Sequence, residues 1–281
     1  MEPWLIFALL TVVAYGLGEG LSKEPTVRLG SARMLLLHTA YSVPIYATWF
    51  LLGSGWTNLT LAGVAFGAAA AGCGAVGAAL WFRAMETGNP SVVSGFTAAY
   101  PVITLAAAVI LLGESLLPVQ IASIALLVTS ATVLGSSEKA ERVAGGRSWV
   151  PAMIVTIVLW GAWGIFEKLA IDSVGYAANA GVYAVVSTPI FLLMARGRSK
   201  PGAWDRKSVV AAQPALALFA VAGITTYLAI GMGPLAIVVP LTTAYPLVAI
   251  LFRRLWHAER MTRPQTAAVA CALLGALLVS L

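Results

Sequence analysis

The chain has 281 residues, of which 60% are hydrophobic and only 10% charged, and its mean hydropathy is +0.90. A soluble domain carries about 25% charged residues. This chain therefore cannot coat a water-facing surface, and a cytoplasmic enzyme, a nucleic-acid binder and a disordered scaffold are excluded; the net charge of +6 sits in short stretches between apolar runs.

A helix needs about 20 apolar residues to cross a bilayer. In chain order the apolar runs are Pro3–Leu21, Met34–Leu52, Leu61–Phe82, Ser91–Leu112, Val119–Leu134, Trp149–Phe166, Ala178–Ala195, Val209–Ile230, Ala236–Phe252 and Thr266–Leu281. They leave no room for a soluble domain. No period-two alternation recurs, so the expected fold is an all-α membrane protein with ten transmembrane helices. The first run has only Glu2 as a charge before Pro3, which does not fit a cleaved signal peptide. Cys73 and Cys271 lie inside apolar runs and imply neither a disulfide framework nor a metal site.

The charges are uneven. Lys23, Arg28 and Arg33 flank the first connection, and Arg83 ends the third run. Lys139, Arg142 and Arg147 lie in the fifth connection, and Arg196, Arg198, Lys200, Arg206 and Lys207 fill the seventh. Arg253, Arg254, Arg260 and Arg263 mark the ninth. With ten spans all of these share one face, and the other face keeps only Lys168. The positive-inside rule makes the basic face cytoplasmic and puts both termini outside a cytoplasmic membrane.

The sequence repeats itself at a shift of 145 residues: Trp4 falls on Trp149, Gly16 on Gly161, Lys23 on Lys168 and Pro44-Ile45 on Pro189-Ile190. Thr97, Ala99, Tyr100 and Pro101 fall on Thr242, Ala244, Tyr245 and Pro246, Glu114 on Glu259 and Gln120 on Gln265. Roughly 27 of about 136 aligned positions are identical. The expected organisation is a first five-helix repeat over 1–136, a polar linker over 137–148 and a second repeat over 149–281. An odd number of spans per repeat inverts the second half, the plan of many secondary transporters.

Each half carries an aromatic-Gly step followed by Lys (Tyr15-Gly16…Lys23, Trp160-Gly161…Lys168) and a Tyr-Pro in its fourth span. Each also has a Glu beyond that span (Gly113-Glu114-Ser115, Ala258-Glu259-Arg260) and a fifth span rich in small residues. In this order the chain resembles the EamA-type branch of the drug/metabolite transporter superfamily over its whole length. The resemblance implies two five-helix repeats around a central cavity, alternating access, and a substrate drawn from amino acids, other metabolites, nucleotide sugars, sugar phosphates or lipid-linked sugars.

Pro101 and Pro246 fall mid-span, where Pro kinks a helix and frees a carbonyl. Thr97, Tyr100, Thr242, Thr243 and Tyr245 lie within a turn of these kinks and are candidates to line a midplane site, the alternative being packing with hydroxyls bonded to backbone. Glu19 lies inside the first span and should face the bundle interior. There it can carry a proton, bind a substrate amine or pair with Lys23. Tyr15, Trp81, Trp160, Trp163 and Tyr227 stand on the spans that the resemblance places around the cavity. Lys168, with Glu167 beside it, and the Arg253-Arg254 pair are candidate anion sites, or else interfacial anchors. Arg83 with Glu86 reads the same way. Trp4, Trp49, Trp56, Trp149 and Trp256 read as interface anchors, and His38 as a hydrogen-bonded core histidine or a titrating group. Gly67, Ala71, Ala75 and Ala79 form a packing stripe.

No Walker loop, H-E-x-x-H or Gly-x-Ser-x-Gly occurs, so neither ATP hydrolysis nor enzymatic activity is expected. The expected function is secondary transport of small polar metabolites, amino acids or related compounds, with export ahead of uptake. An organic-anion or phosphorylated-metabolite exchanger and a non-transporting lipid-handling or assembly subunit are the alternatives. Expected partners are a small-molecule substrate, the bilayer and a coupling proton, in a monomer or homodimer; no cofactor, metal or nucleic acid is expected.

Overall fold

The computed structural model describes residues 2–87, 93, 99–136, 149–196, 204–257 and 263–278. Among them there is no strand. The helices are α1 (Pro3–Leu29), α2 (Ser31–Leu52), α3 (Leu61–Thr87), α4 (Tyr100–Leu111) and α5 (Pro118–Ser136) in the first half. The second half has α6 (Val150–Ala195), α7 (Arg206–Met232), α8 (Leu235–Thr242), α9 (Tyr245–His257) and α10 (Arg263–Leu278). The expected linker over 137–148 lies outside the described residues. Of the helices, α1, α2, α3, α6 and α7 are each long and apolar enough to cross a bilayer. α6 is two helices joined at Gly175, where the backbone leaves helical geometry. Its arms, 150–174 and 176–195, are the sixth and seventh spans, and α8 with α9 makes the ninth.

The first and sixth connections are not the loops that apolar run lengths suggested. α1 continues eight residues past Leu21 to Leu29, and α2 starts two residues later at Ser31. The turn rests on Gly30, at φ 84° and ψ 156°. Its repeat equivalent, Gly175, adopts φ 80° and ψ 173°. This region of backbone space is essentially closed to any residue with a Cβ. One glycine per repeat thus replaces a loop with a point reversal, and the charges expected in a loop ride on helices: Arg28 pairs with Glu24 at 2.5 Å along α1.

Inter-helix contacts set the relative direction of the halves. At the Gly30 turn the Ser31 amide donates to Glu86 near the end of α3 (2.8 Å), while Gly53 and Gly63, at the other ends of α2 and α3, meet Ala177 and Val174. α1 and α3 therefore run the same way. Gly63 faces Val174 and Gly77 faces Trp160, so α3 runs antiparallel to the first arm of α6. Thr11 meets Thr225 at 2.8 Å and Gly18 meets Phe219, so α1 runs antiparallel to α7. α7 is the repeat equivalent of α3, and the first arm of α6 is that of α1. Each is inverted relative to its mate. The protein is an all-α membrane protein of two inverted five-helix repeats.

The small-residue stripe of α3 makes this pairing close. Ala71, Ala75 and Ala79 are buried, and a Cβ on Gly67 would stand 2.7 Å from the Asn179 side chain. Small residues let helix backbones approach and gain dispersion contacts that lipid tails would otherwise supply.

Polar groups gather at the two ends. At one end Arg33 stacks over Trp204 at 5.7 Å, and Asp205 caps α7 by accepting from the amides of Lys207 and Ser208. Ser208 also donates its hydroxyl, and these bonds hold the Asp205 carboxyl below the usual carboxylate range. A lowered value stabilises the fold above the unfolded-state pKa of about 3.9 and is lost as pH falls through the folded one. Asp205→Asn is expected to melt below the wild type at pH 7, with the gap closing as pH drops under about 3.9; melting curves across pH check this. At the other end Lys168 binds Asp172 (3.1 Å) and the Gly231 carbonyl (3.4 Å), and Trp49 stacks on Tyr176. Glu86, expected beside Arg83 in an anion site, spends one carboxylate oxygen on the Ser31 amide.

Candidate functional site

A cavity of about 170 Å³ lies where α1, α2, α3, both arms of α6, α7 and the helix breaks meet. Even the ~150 Å³ of an engineered apolar cavity admits a benzene-sized molecule. Tyr15, Glu19, Trp81, Tyr100, Trp160, Trp163, Tyr227, Thr242 and Tyr245 all line it. Thr97 lies outside the described residues, as do the side chains of Arg253 and Arg254, which fall on α9. Lys168 is not in the wall; its ammonium is held by Asp172.

The repeat builds the wall twice. Tyr15 lies 5.8 Å from Tyr245, and its equivalent Trp160 lies 5.8 Å from Tyr100, edge to face. Each pair is brought close by the glycine that follows the aromatic. A Cβ on Gly16 would stand 2.5 Å from the Tyr245 carbonyl and from Val248, and one on Gly161 would stand 2.6 Å from Ile103, the equivalent of Val248. Trp160 further donates its indole N–H to the Gly74 carbonyl (3.4 Å).

The expected mid-helix kink at Pro246 is instead a break. α8 stops at Thr242 and α9 starts at Tyr245, so Pro246 occupies the first turn, where its missing N–H costs nothing. Pro101 has the same place in α4, which starts at Tyr100. The carbonyls at the break are satisfied locally: Thr242 donates to Val239 (2.9 Å) and Thr243 to Pro240 (2.7 Å). Thr242 therefore offers a ligand an acceptor rather than its proton.

Glu19 is 7% exposed and lies one turn past Tyr15. Its repeat position is Gly164, which packs on Thr104, so the two halves differ chemically here. His38 does not have the place of the hydrogen-bonded core histidine that its position suggests. It lies half-buried in the wall between Phe82 and Phe191, and among the described residues its buried Nδ1 has no hydrogen-bond partner. The Trp81 indole N–H, also in the wall, has none either. A buried polar atom left unpaired costs about 1–3 kcal/mol, which a ligand or water can recover.

The residue reading missed Ser42, Tyr46, Tyr183, Phe219 and Thr226, all in the wall. Tyr46 lies 4.6 Å from Tyr183 and 5.5 Å from Tyr227. For Ser42 the shift of 145 contained a signal, since it places Ser42 on Ser187. Glu167 was considered only as a partner for Lys168. The structure turns these neighbours apart, Lys168 to Asp172 and Glu167 to Asn179.

The chain matches the EamA-like transporter family twice, over residues 2–136 and 147–281. It belongs to that family, a multi-pass membrane transporter family within the drug/metabolite transporter superfamily. No curated protein matches it. A solved structure titled "Crystal structure of protein" aligns with 99% of this chain and 96% of its own, with a TM-score of 0.71 and 17% identity, a likeness of fold.

Proposed function

We propose that this transporter moves small polar metabolites, amino acids or related compounds, across the cytoplasmic membrane by alternating access, with export the favoured direction. The observation that carries the reading is one cavity on the pseudo-two-fold axis, walled by repeat-related residues. Inverted halves give two states of similar energy, open to opposite sides, about a fixed site. The charge bias supports a cytoplasmic basic end with the termini outside. Among the described residues no Lys or Arg lines the cavity, which favours this reading over an anion exchanger.

Glu19 is the candidate for proton coupling within this reading. The test is counterflow of labelled amino acids in proteoliposomes holding the purified full chain, with and without a pH gradient. The wild type is expected to exchange at least one amino acid and to respond to the gradient, and Glu19→Gln to exchange it without responding. No exchange of any amino acid would overturn the substrate assignment; a full gradient response in Glu19→Gln would overturn the coupling role.

A further inference from the structure

Glu167 lies on the first arm of α6, one turn beyond Trp163, and is 1% exposed. Its carboxylate accepts from the Asn179 amide, contributed by the arm beyond the Gly175 turn. The Trp163 indole and the Tyr227 phenol stand beside it. All three neighbours are neutral, and among the described residues no basic side chain pairs with Glu167. A buried carboxylate without a counter-charge is costly, and in a membrane-spanning segment such a group marks a functional site by default.

The fold does not need this charge. The pseudo-two-fold places Glu167 on Ser22, whose hydroxyl donates to its own helix backbone at the Glu19 carbonyl. It places Tyr183, Tyr227 and Tyr46 on His38, Phe82 and Phe191. One end of the cavity thus sets an imidazole and Glu19 among apolar rings, and the other is a cluster of tyrosines backed by the Glu167 carboxylate. Trp163, Tyr227, Tyr46 and Tyr183 line the cavity, and Glu167 lies behind them, outside the lining itself. Electron-rich ring faces beside a buried negative charge form a receptor for an ammonium group.

We propose that Glu167 holds, with Tyr227, Trp163, Tyr46 and Tyr183, the ammonium group of the transported compound. The substrate is then an organic cation or zwitterion whose apolar body lies toward Phe82, Trp81 and Phe219. This assignment rests on the transporter reading and narrows its substrate class. An arriving ammonium rests on the ring faces from the cavity side and supplies the missing counter-charge to the carboxylate behind them.

The test uses three probes with one shared body: 2-phenylethylamine, 2-phenylethanol and 3-phenylpropionate. Binding to the purified full chain at pH 7 is read from quenching of cavity tryptophan fluorescence and from thermal stabilisation. The amine is expected to bind about tenfold or more tighter than the alcohol, and the anion weakest. Glu167→Gln is expected to bring the amine down to the affinity of the alcohol and to leave the alcohol unchanged. Tyr227→Phe, which keeps the ring, is expected to narrow the preference, and it covers the case in which Glu167→Gln does not fold. Equal binding of amine and alcohol to the wild type, or an unchanged preference in either variant, would overturn the assignment. So would tryptophan emission that titrates with pH in the wild type but not in Glu167→Gln while the amine fails to bind, since Glu167 would then be a proton site. Counterflow separates the two levels. An anionic or neutral solute exchanged at the wild-type rate by Glu167→Gln overturns the ammonium site and leaves the transporter reading. Amine binding that depends on Glu167, with no solute crossing the bilayer, overturns the transport reading alone.

Discussion

Gly16→Ala is expected to abolish transport and to lower the melting temperature of the purified protein. The added methyl would stand 2.5 Å from the Tyr245 carbonyl oxygen and 2.5 Å from Val248 Cβ. A carbonyl belongs to the backbone and cannot rotate away, so α1 must move off α9. Overpacking of this kind costs about 1–3 kcal/mol in a well-packed core. The functional loss should exceed the stability loss, because the displaced helices carry Tyr15, Glu19 and Tyr245 into the cavity wall. Gly161→Ala repeats the experiment in the second half against Ile103. Gly72→Ala is the control, since among the described residues nothing lies within 4 Å of the added methyl. Exchange rates normalised to folded protein, set beside melting curves, check all three. Wild-type exchange in Gly16→Ala would show that this crossing does not shape the site.

Glu114→Ala is expected to destabilise the protein by about 2–4 kcal/mol, taking about 1.5–3 kcal/mol for a hydrogen bond to a charged group and allowing for incomplete additivity. The Glu114 carboxylate accepts from the amides of Leu235 (2.9 Å) and Ala236 (2.7 Å), the first residues of α8. α8 begins after Pro234, whose side chain offers no cap, so its leading amides depend on a group from the other repeat. A negative charge at that end also complements the helix dipole. Gly113 aims the carboxylate: its φ of 68° lets the amides of Leu112 and Glu114 both return to the Ala108 carbonyl. Glu114→Gln keeps an acceptor without the charge and should lose about half as much. Denaturation in detergent measures the loss, and hydrogen exchange should place it at the start of α8. Uniform exchange across the protein would contradict the local assignment.

Much of this was legible from residue spacing. The shift of 145 predicted the inverted halves, and the Tyr-Pro pairs and aromatic-Gly steps marked wall residues. What stayed hidden followed from span boundaries drawn where apolar runs end. Ending the sixth run at Phe166 put Glu167 outside the hydrocarbon, so the rule that picked out Glu19 was not applied to it. Ending the first run at Leu21 turned a helix that continues to Leu29 into a loop. A helix is held by its own backbone bonds and does not stop where its side chains become polar; here it stops at Gly30, and Gly175 in the second half was the matching clue. Tyr46 and Tyr183 could not be separated from other span aromatics, because which face of α2 meets which face of α6 is settled by packing between distant segments.

The pairing of α1 with α7, and of α3 with the first arm of α6, has a consequence for how the molecule can vary. Neither duplicated half holds its own hydrophobic interior; each closes on a surface lent by the other. The seam at which the sequence divides in two is not a seam in the protein. A residue change on one side of that division is answered by a neighbour on the far side, so the two copies cannot drift independently.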